Sequence, residues 1–361
     1  MPAELTVILL LATAAVASLA TWQIVSRRHR RQLAAERITR PVAAPSQRVA
    51  MVINPVKAQA GPARTALAEA CELAGWEPPL ILETTVESPG FGQAQQALAA
   101  GADVVLAAGG DGTVREVARA VAHSPAAMGL LPLGTGNLLA RNLGLPVNDL
   151  HGSIQTALHG AERRIDMGRI ALENARTGDR STSNFLVMGG IGLDAEVIAA
   201  TRDELKKRVG WLAYSEAGVR LLPGPRRRMR VQSDGGVPQV RKVSSVVFAN
   251  TGQLPAGIDF IPLAAVDDGM LDIVVLSPRT VFGWAAVLGK VVTRNRRELP
   301  VIEYQRARTV TVSTEEPTIT QLDGDLSGAA TSVTVTVDPQ SLRVRALDGG
   351  QPGGHTAGPA A

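Results

Sequence analysis

The sequence has one cysteine, Cys71, so it has no internal disulfide framework and no cysteine-based zinc cluster. Aromatic residues make up only 3% of it, which argues against stacking platforms for single-stranded nucleic acid. Its five histidines show no HExxH-like spacing, so no histidine-rich metal site is expected. GxxxxGK[ST] is absent, which excludes a P-loop nucleotidase, and no internal repeat is visible. What is there is 361 residues, enough for an anchor plus two ordinary domains. At 45% hydrophobic and 19% charged, the chain is too apolar for a disordered protein and too charged for a polytopic membrane protein.

The charge is unevenly placed. Between Ser26 and Arg48 seven arginines face one acidic residue, Glu36, a net of +6; the whole chain is +4, so the rest sums to −2. A nucleic-acid binder would carry its excess on the folded domain, so no nucleic-acid partner is expected. Leu5 to Val25 is a run of 21 residues without a charge. As a helix at ~1.5 Å per residue it would span ~32 Å, against a hydrocarbon core of ~30 Å. Arginines follow it and only Glu4 precedes it, so the positive-inside rule puts the bulk of the chain in the cytoplasm. A cleaved signal peptide would want the reverse order of charge. The expectation is a single-pass protein of the cell membrane: an anchor over 1–26 and a basic linker over 27–47, lying against anionic headgroups or merely solvated.

From Arg48 short apolar strands alternate with helices: VAMVINP, a helix from about Pro62 to Ala74, LILETT, a helix from Gly92 to Ala100, ADVVLAAGG, TVREVARAVA and MGLLPLG. This predicts a parallel sheet covered on both faces over 48–166. After Asp166 most segments are strand-like (MGRIALEN, NFLVMGG, MRVQS, VSSVVFAN, LDIVVLS, RTVTVST, TSVTVTV), with helical stretches only near 203–222 and 281–293. The fold class expected is an α/β N-terminal nucleotide domain plus an antiparallel β-sandwich-like C-terminal domain over 167–348, preceded by one transmembrane helix. Its last strand either ends there or returns to the first domain, and 349–361 reads as a disordered tail.

Two glycine-rich loops carry the chemistry. In VVLAAGGDGTVREV a strand ends in Gly109-Gly110-Asp111-Gly112-Thr113 and a helix begins directly. Glycines admit backbone N–H groups to phosphate oxygens, and a helix N-terminus favours negative charge. Thr113 and Glu116 also fit a capping box, and Asp-Gly fits an ordinary turn. The second loop, LLPLGTGNLLARNLGLP, again runs strand, Gly-Thr-Gly-Asn, helix. Two such loops at the carboxyl ends of strands in one α/β sheet converge on one crevice.

GGDGTVREV together with PLGTGNLLARNLGLP resembles the catalytic domain of diacylglycerol kinases and their bacterial lipid-kinase relatives; GGDGT alone is shared with NAD kinases and phosphofructokinases. The resemblance runs from about Arg48 to Arg345. It implies ATP bound in a cleft between the two domains. The nucleotide-contacting positions it implies are Asn54 and Pro55, Thr84 or Thr85, Gly110, Asp111, Gly112, Thr113, Val114, Arg115, Glu116 and Thr135. Arg115 stands where many relatives have Asn, and VKAQAG follows the Asn-Pro turn where the family usually has Ser or Thr and Gly. Gly192 and Asp194 match a Gly-x-Asp segment. IPLAAVDDGMLDIVVL matches a segment that in relatives holds a structural Mg²⁺, here through Asp268 with the carbonyls of Ala265 and Met270; as bare sequence it reads instead as a surface turn, Asp267-Asp268-Gly269, linking strands. QLDGDLSG stands against a family Asp-Gly-Glu and implies Asp325 as the base that deprotonates the acceptor hydroxyl, with Asp323 beside it to orient that hydroxyl or help hold the nucleotide's Mg²⁺. Without the family, Asp-Gly-Asp between two strands is a hairpin turn.

The expected protein is an ATP- and Mg²⁺-dependent lipid kinase whose acceptor is a membrane lipid such as diacylglycerol, giving phosphatidate. Other acceptors (a sphingoid base, a monoacylglycerol, a soluble compound as in NAD kinases) stay open, as does a catalytically weak nucleotide-binding membrane sensor. A homo-oligomer is compatible with all of these.

Overall fold

A computed structural model describes residues 46–192, 226–254, 258–259, 261, 264–280, 283, 286–287, 290 and 299–347. The expected membrane span over 1–26, the linker as far as residue 45, Asp194, the helical stretch at 203–222 and the tail lie outside the described residues. Of the helix expected at 281–293, residues 283, 286, 287 and 290 are described and are helical. Among the described residues no helix is long and apolar enough to cross a membrane.

The first part alternates as expected: β1 (Val49–Ile53), α1 (Ala60–Leu73), β2 (Leu80–Glu83), α2 (Phe91–Ala99), β3 (Val104–Gly109), α3 (Asp111–Val121), β4 (Ala127–Pro132), α4 (Leu138–Asn142) and α5 (Leu150–His159). Strands β2-β1-β3-β4 pair in parallel in that order. Their alternate side chains feed two cores. Met51, Ile53, Leu106 and Leu131 pack against Leu67, Cys71, Ile154 and Leu158 of α1 and α5. Ala50, Val52, Val105, Ala107 and Met128 pack against Ala94, Ala97, Val117 and Val121 of α2 and α3. Covering on both faces is why β1 and β3 are buried at every position and read as unbroken apolar runs.

The remainder is strand-rich: β5 (Ala161–Glu173), β6 (Arg180–Phe185), β7 (Met188–Ile191), β8 (Arg227–Ser233), β9 (Gln239–Val243), β10 (Ser245–Ala249), β11 (Gln253–Leu254), β12 (Ile258–Asp259), β13 (Leu271–Leu276), β14 (Ile302–Ala307), β15 (Thr309–Leu322) and β16 (Asp325–Ala346). Its core is a separate apolar cluster that includes Phe185, Phe248, Ile273, Val312 and Val333. The two parts share one sheet, ordered β14-β13-β10-β7-β15-β16-β4-β3-β1-β2. Strand β16 makes the junction: it pairs antiparallel with β15 and β5 along its length, then parallel with β4 through Val344 and Met128. The 166/167 boundary therefore falls inside β5, a strand continuous from Ala161 to Glu173. The single strand expected over NFLVMGG is broken in two, because the N–H groups of residues 186–188 turn away from the ladder to the Asp323 carboxylate.

Candidate active site

The carboxyl ends of β1, β2 and β3 are stitched together by backbone bonds that continue past the strands. Asn54 N–H donates to Ala108 O (3.0 Å) and Thr84 N–H to Ile53 O (2.9 Å). Asn54, Thr84 and the start of α3 thus line up along one sheet edge at roughly 4.8 Å per strand. Asn54 Oδ1 accepts from Val56 N (3.2 Å), which turns the Asn-Pro segment outward. Thr84 is buried, whereas Thr85 is exposed and closes its own loop by accepting from Ser88 N (3.1 Å).

The first glycine-rich loop leads straight from β3 into α3 with Gly110 as N-cap, in extended conformation and without a side-chain cap. The capping box expected of Thr113 and Glu116 does not form: Thr113 lies inside the first turn and is buried, and Glu116 pairs with Arg119 (2.7 Å). Asp111 caps another helix instead. Its carboxylate accepts from Asn137 N (3.1 Å) and Leu138 N (2.6 Å), the start of α4, so it locks the second loop onto the first. Burial raises its pKa, opposed by those N–H bonds. The loops touch backbone to backbone: a Cβ on Gly134 would fall 2.6 Å from the Gly110 Cα. Asn137, held at φ 49°, accepts from Gly134 N (3.0 Å) and donates to Gly134 O (2.8 Å), which closes the Gly-Thr-Gly-Asn turn. Thr135 is exposed at its tip. Asn142 then joins the turn's helix to β11 through Gln253, its Nδ2 donating to the carbonyl (3.0 Å) and its Oδ1 accepting from the N–H (3.0 Å). Asn137 and Asn142 escaped the sequence reading; the Gly-Asn pair, suited to a left-handed turn, was the available signal for the first.

Asp323 and Gly324 form the two-residue turn between β15 and β16, with φ of 47° and 85°, the type I′ signature. The hairpin and the catalytic readings of QLDGDLSG are therefore both compatible with the structure. The two aspartates differ sharply. The Asp323 carboxylate is buried and accepts from the N–H groups of Leu186 (3.1 Å), Val187 (2.9 Å) and Met188 (3.1 Å), with Arg115 Nη1 at 3.9 Å. It has no approach to a nucleotide or hydroxyl, which corrects its expected place beside the base. Burial pushes its pKa up to about 6, against the pull of Arg115 and the three N–H donors. Asp325 has a side chain 33% exposed and lies over the phosphate loop, its Oδ2 only 3.7 Å from where a Cβ on Gly112 would sit. Arg115 reaches this turn rather than the nucleotide side of its own loop: Nη2 donates to Asp325 Oδ2 (3.1 Å) and Nη1 to Leu322 O (3.0 Å). Val114 is buried in the helix face.

The segment expected to hold a structural Mg²⁺ is otherwise occupied. Asp268 Oδ1 accepts from Met270 N (3.0 Å) and Oδ2 from Arg306, whose Nε also lies 3.4 Å from Asp272 Oδ1. Arg306 is thus the charged partner of the one carboxylate expected there, and among the described residues no group of three or more His, Cys, Asp or Glu could hold a metal. The neighbouring Asp166, fully buried and unremarked in the sequence, shapes the segment by accepting from Gly269 N (2.7 Å) and Gln340 N (2.7 Å). Gly192 sits at φ 98° just past β7.

Two family models match in tandem: the diacylglycerol kinase catalytic domain over residues 48–170, and the YegS C-terminal NAD kinase beta sandwich-like domain over 188–346. The chain belongs to the diacylglycerol kinase catalytic-domain family. It is a kinase, and its catalytic domain is that of lipid kinases. Diacylglycerol kinases of Staphylococcus aureus strains JH9 and Newman are each 28% identical to it over 244 residues, 65% of this kinase and 72% of theirs. A crystal structure of a diacylglycerol kinase from Bacillus anthracis str. Sterne shares the fold, with a TM-score of 0.65 at 22% identity over 84% of this chain and 98% of that one.

Proposed function

We propose that this kinase transfers the γ-phosphoryl group of ATP, with a divalent metal such as Mg²⁺, to the hydroxyl of diacylglycerol, forming phosphatidate. The observation that carries the reading is the position of Asp325, a partly exposed carboxylate within reach of the Gly110–Thr113 loop at a helix N-terminus. Loop N–H groups and the helix end would hold phosphate oxygens while Asp325 accepts the proton of the attacking hydroxyl. Asn54, Pro55, Thr84, Gly110, Gly112, Thr113 and Thr135 are proposed to line the nucleotide side, with Asp111 holding the two loops together.

A single carboxylate suits a Mg²⁺ that arrives on the nucleotide and keeps most of its ligands from phosphate and water. That ion would neutralise charge on the transferring group; the chain's own part is to position and to take the proton. Diacylglycerol as acceptor is supported by the named activity of the Staphylococcus relatives. The uncharged run Leu5–Val25 and the arginines after it support tethering at the cytoplasmic face of the membrane, which raises the effective concentration of a water-insoluble acceptor.

The test is transfer of label from γ-labelled ATP in mixed micelles carrying diacylglycerol, ceramide, sphingosine or monoacylglycerol. Label is expected in phosphatidate, falling about 10²–10⁴-fold in Asp325→Asn. Label in another lipid would replace the acceptor. Full transfer by Asp325→Asn would remove the base, and ATP binding without transfer to any lipid would favour a sensor.

A further inference from the structure

We infer that Arg115 is the positioning residue for the Asp325 carboxylate, a strut from the phosphate-loop helix to the turn at the head of β16; this rests on the reading of Asp325 as the base. Arg115 is the fifth residue of α3, and its side chain is only 14% exposed. Its guanidinium contacts are concentrated on three residues of the turn between β15 and β16: Leu322 O at 3.0 Å, Asp323 Oδ2 at 3.9 Å and Asp325 Oδ2 at 3.1 Å. Among the described residues it makes no hydrogen bond to the glycines of its own loop.

Neutralising the buried Asp323 would account for an arginine near this turn, but not for where the fork points. Asp323 already holds three backbone N–H groups, and the two hydrogen bonds of the guanidinium go past it to a carbonyl and to Asp325. A partly exposed aspartate side chain has several staggered rotamers. The planar fork, fixed at one nitrogen by Leu322 O, selects one of them with the other, and that is the rotamer that brings Oδ2 over Gly112. The helix whose first turn faces the transferring phosphoryl therefore also sets where the accepting carboxylate stands. A displacement of about 1 Å at that point costs on the order of 10²-fold in rate.

The experiment is a double-mutant cycle on the full chain with Arg115→Met, Arg115→Lys, Asp325→Asn and the Arg115→Met/Asp325→Asn pair. For each, kcat for lipid phosphorylation and the Kd for ATP are measured. Arg115→Met is expected to lower kcat about 10–100-fold while the ATP Kd stays within about threefold, and Arg115→Lys to recover part of the loss. In the Asp325→Asn background the same Arg115→Met change should alter the residual rate less than about twofold, since the carboxylate it positions as the base is gone. A tenfold weaker ATP Kd with kcat retained would make Arg115 a phosphate ligand and overturn the inference. So would losses that multiply in the pair. Undiminished transfer by Asp325→Asn alone would overturn the base and the strut together, whereas multiplying losses on top of an impaired Asp325→Asn sink only the strut. ATP binding by each variant reports that it is folded.

Discussion

Asp323 and Asp325 flank one glycine, yet one is buried under three backbone donors and the other stands over the phosphate loop. The sequence shows two equivalent acids because what separates them is the positive φ of the turn and the break in NFLVMGG, neither visible in composition. Asp111 is similar: its motif was legible, but its partners lie 26 and 27 residues away. The Asp323 pKa of about 6 gives a testable slope. Its unfolded value is about 3.9, so between about pH 4 and 6 the folded chain holds the extra proton. Stability from this group is fully present below about pH 4 and is lost as pH rises through 6. Asp323→Asn cannot titrate. The stability gap between wild type and variant, from urea midpoints, should therefore be widest near pH 4 and narrow by pH 7. A gap that widens with pH would mean that the N–H donors and Arg115 dominate burial.

At the scale of elements, the alternation of apolar strands and helices from Arg48 onward was readable because a parallel sheet covered on both faces leaves a continuous apolar signal. What was not readable is how closely the two loops approach. Gly134 lies against the Gly110 backbone with no room for a methyl group. Gly134→Ala should therefore splay the cradle and weaken ATP binding by about 5- to 100-fold, measured by titration calorimetry. Strain of about 1–3 kcal/mol in the displaced loops would account for that size. Unchanged affinity would show that the loops do not hold phosphate together. The DDG segment shows the opposite limit: its motif was plain, but Arg306, 38 residues on from Asp268, changes what that carboxylate does.

Across the whole molecule, the alternating and strand-rich halves were distinguishable in sequence, but the strand that unites them was not. Strand β16 is 22 residues long, and its apolar-polar alternation does not say which neighbours it serves. Because it lies between β15 and β4 and also pairs with β5, the described halves should lose structure together. Urea unfolding followed by far-ultraviolet circular dichroism and by the fluorescence of a variant that keeps Trp76 as its one tryptophan is expected to give one coincident transition; two separated transitions would mean that the halves are independent. The same strand has a consequence for synthesis. Residues 127–132 of β4 leave the ribosome roughly 200 residues before their partner at Val344, a wait of roughly 10–40 s at about 5–20 residues per second. Throughout that wait the nascent nucleotide half carries a bare sheet edge, open to pairing with other chains until β16 arrives.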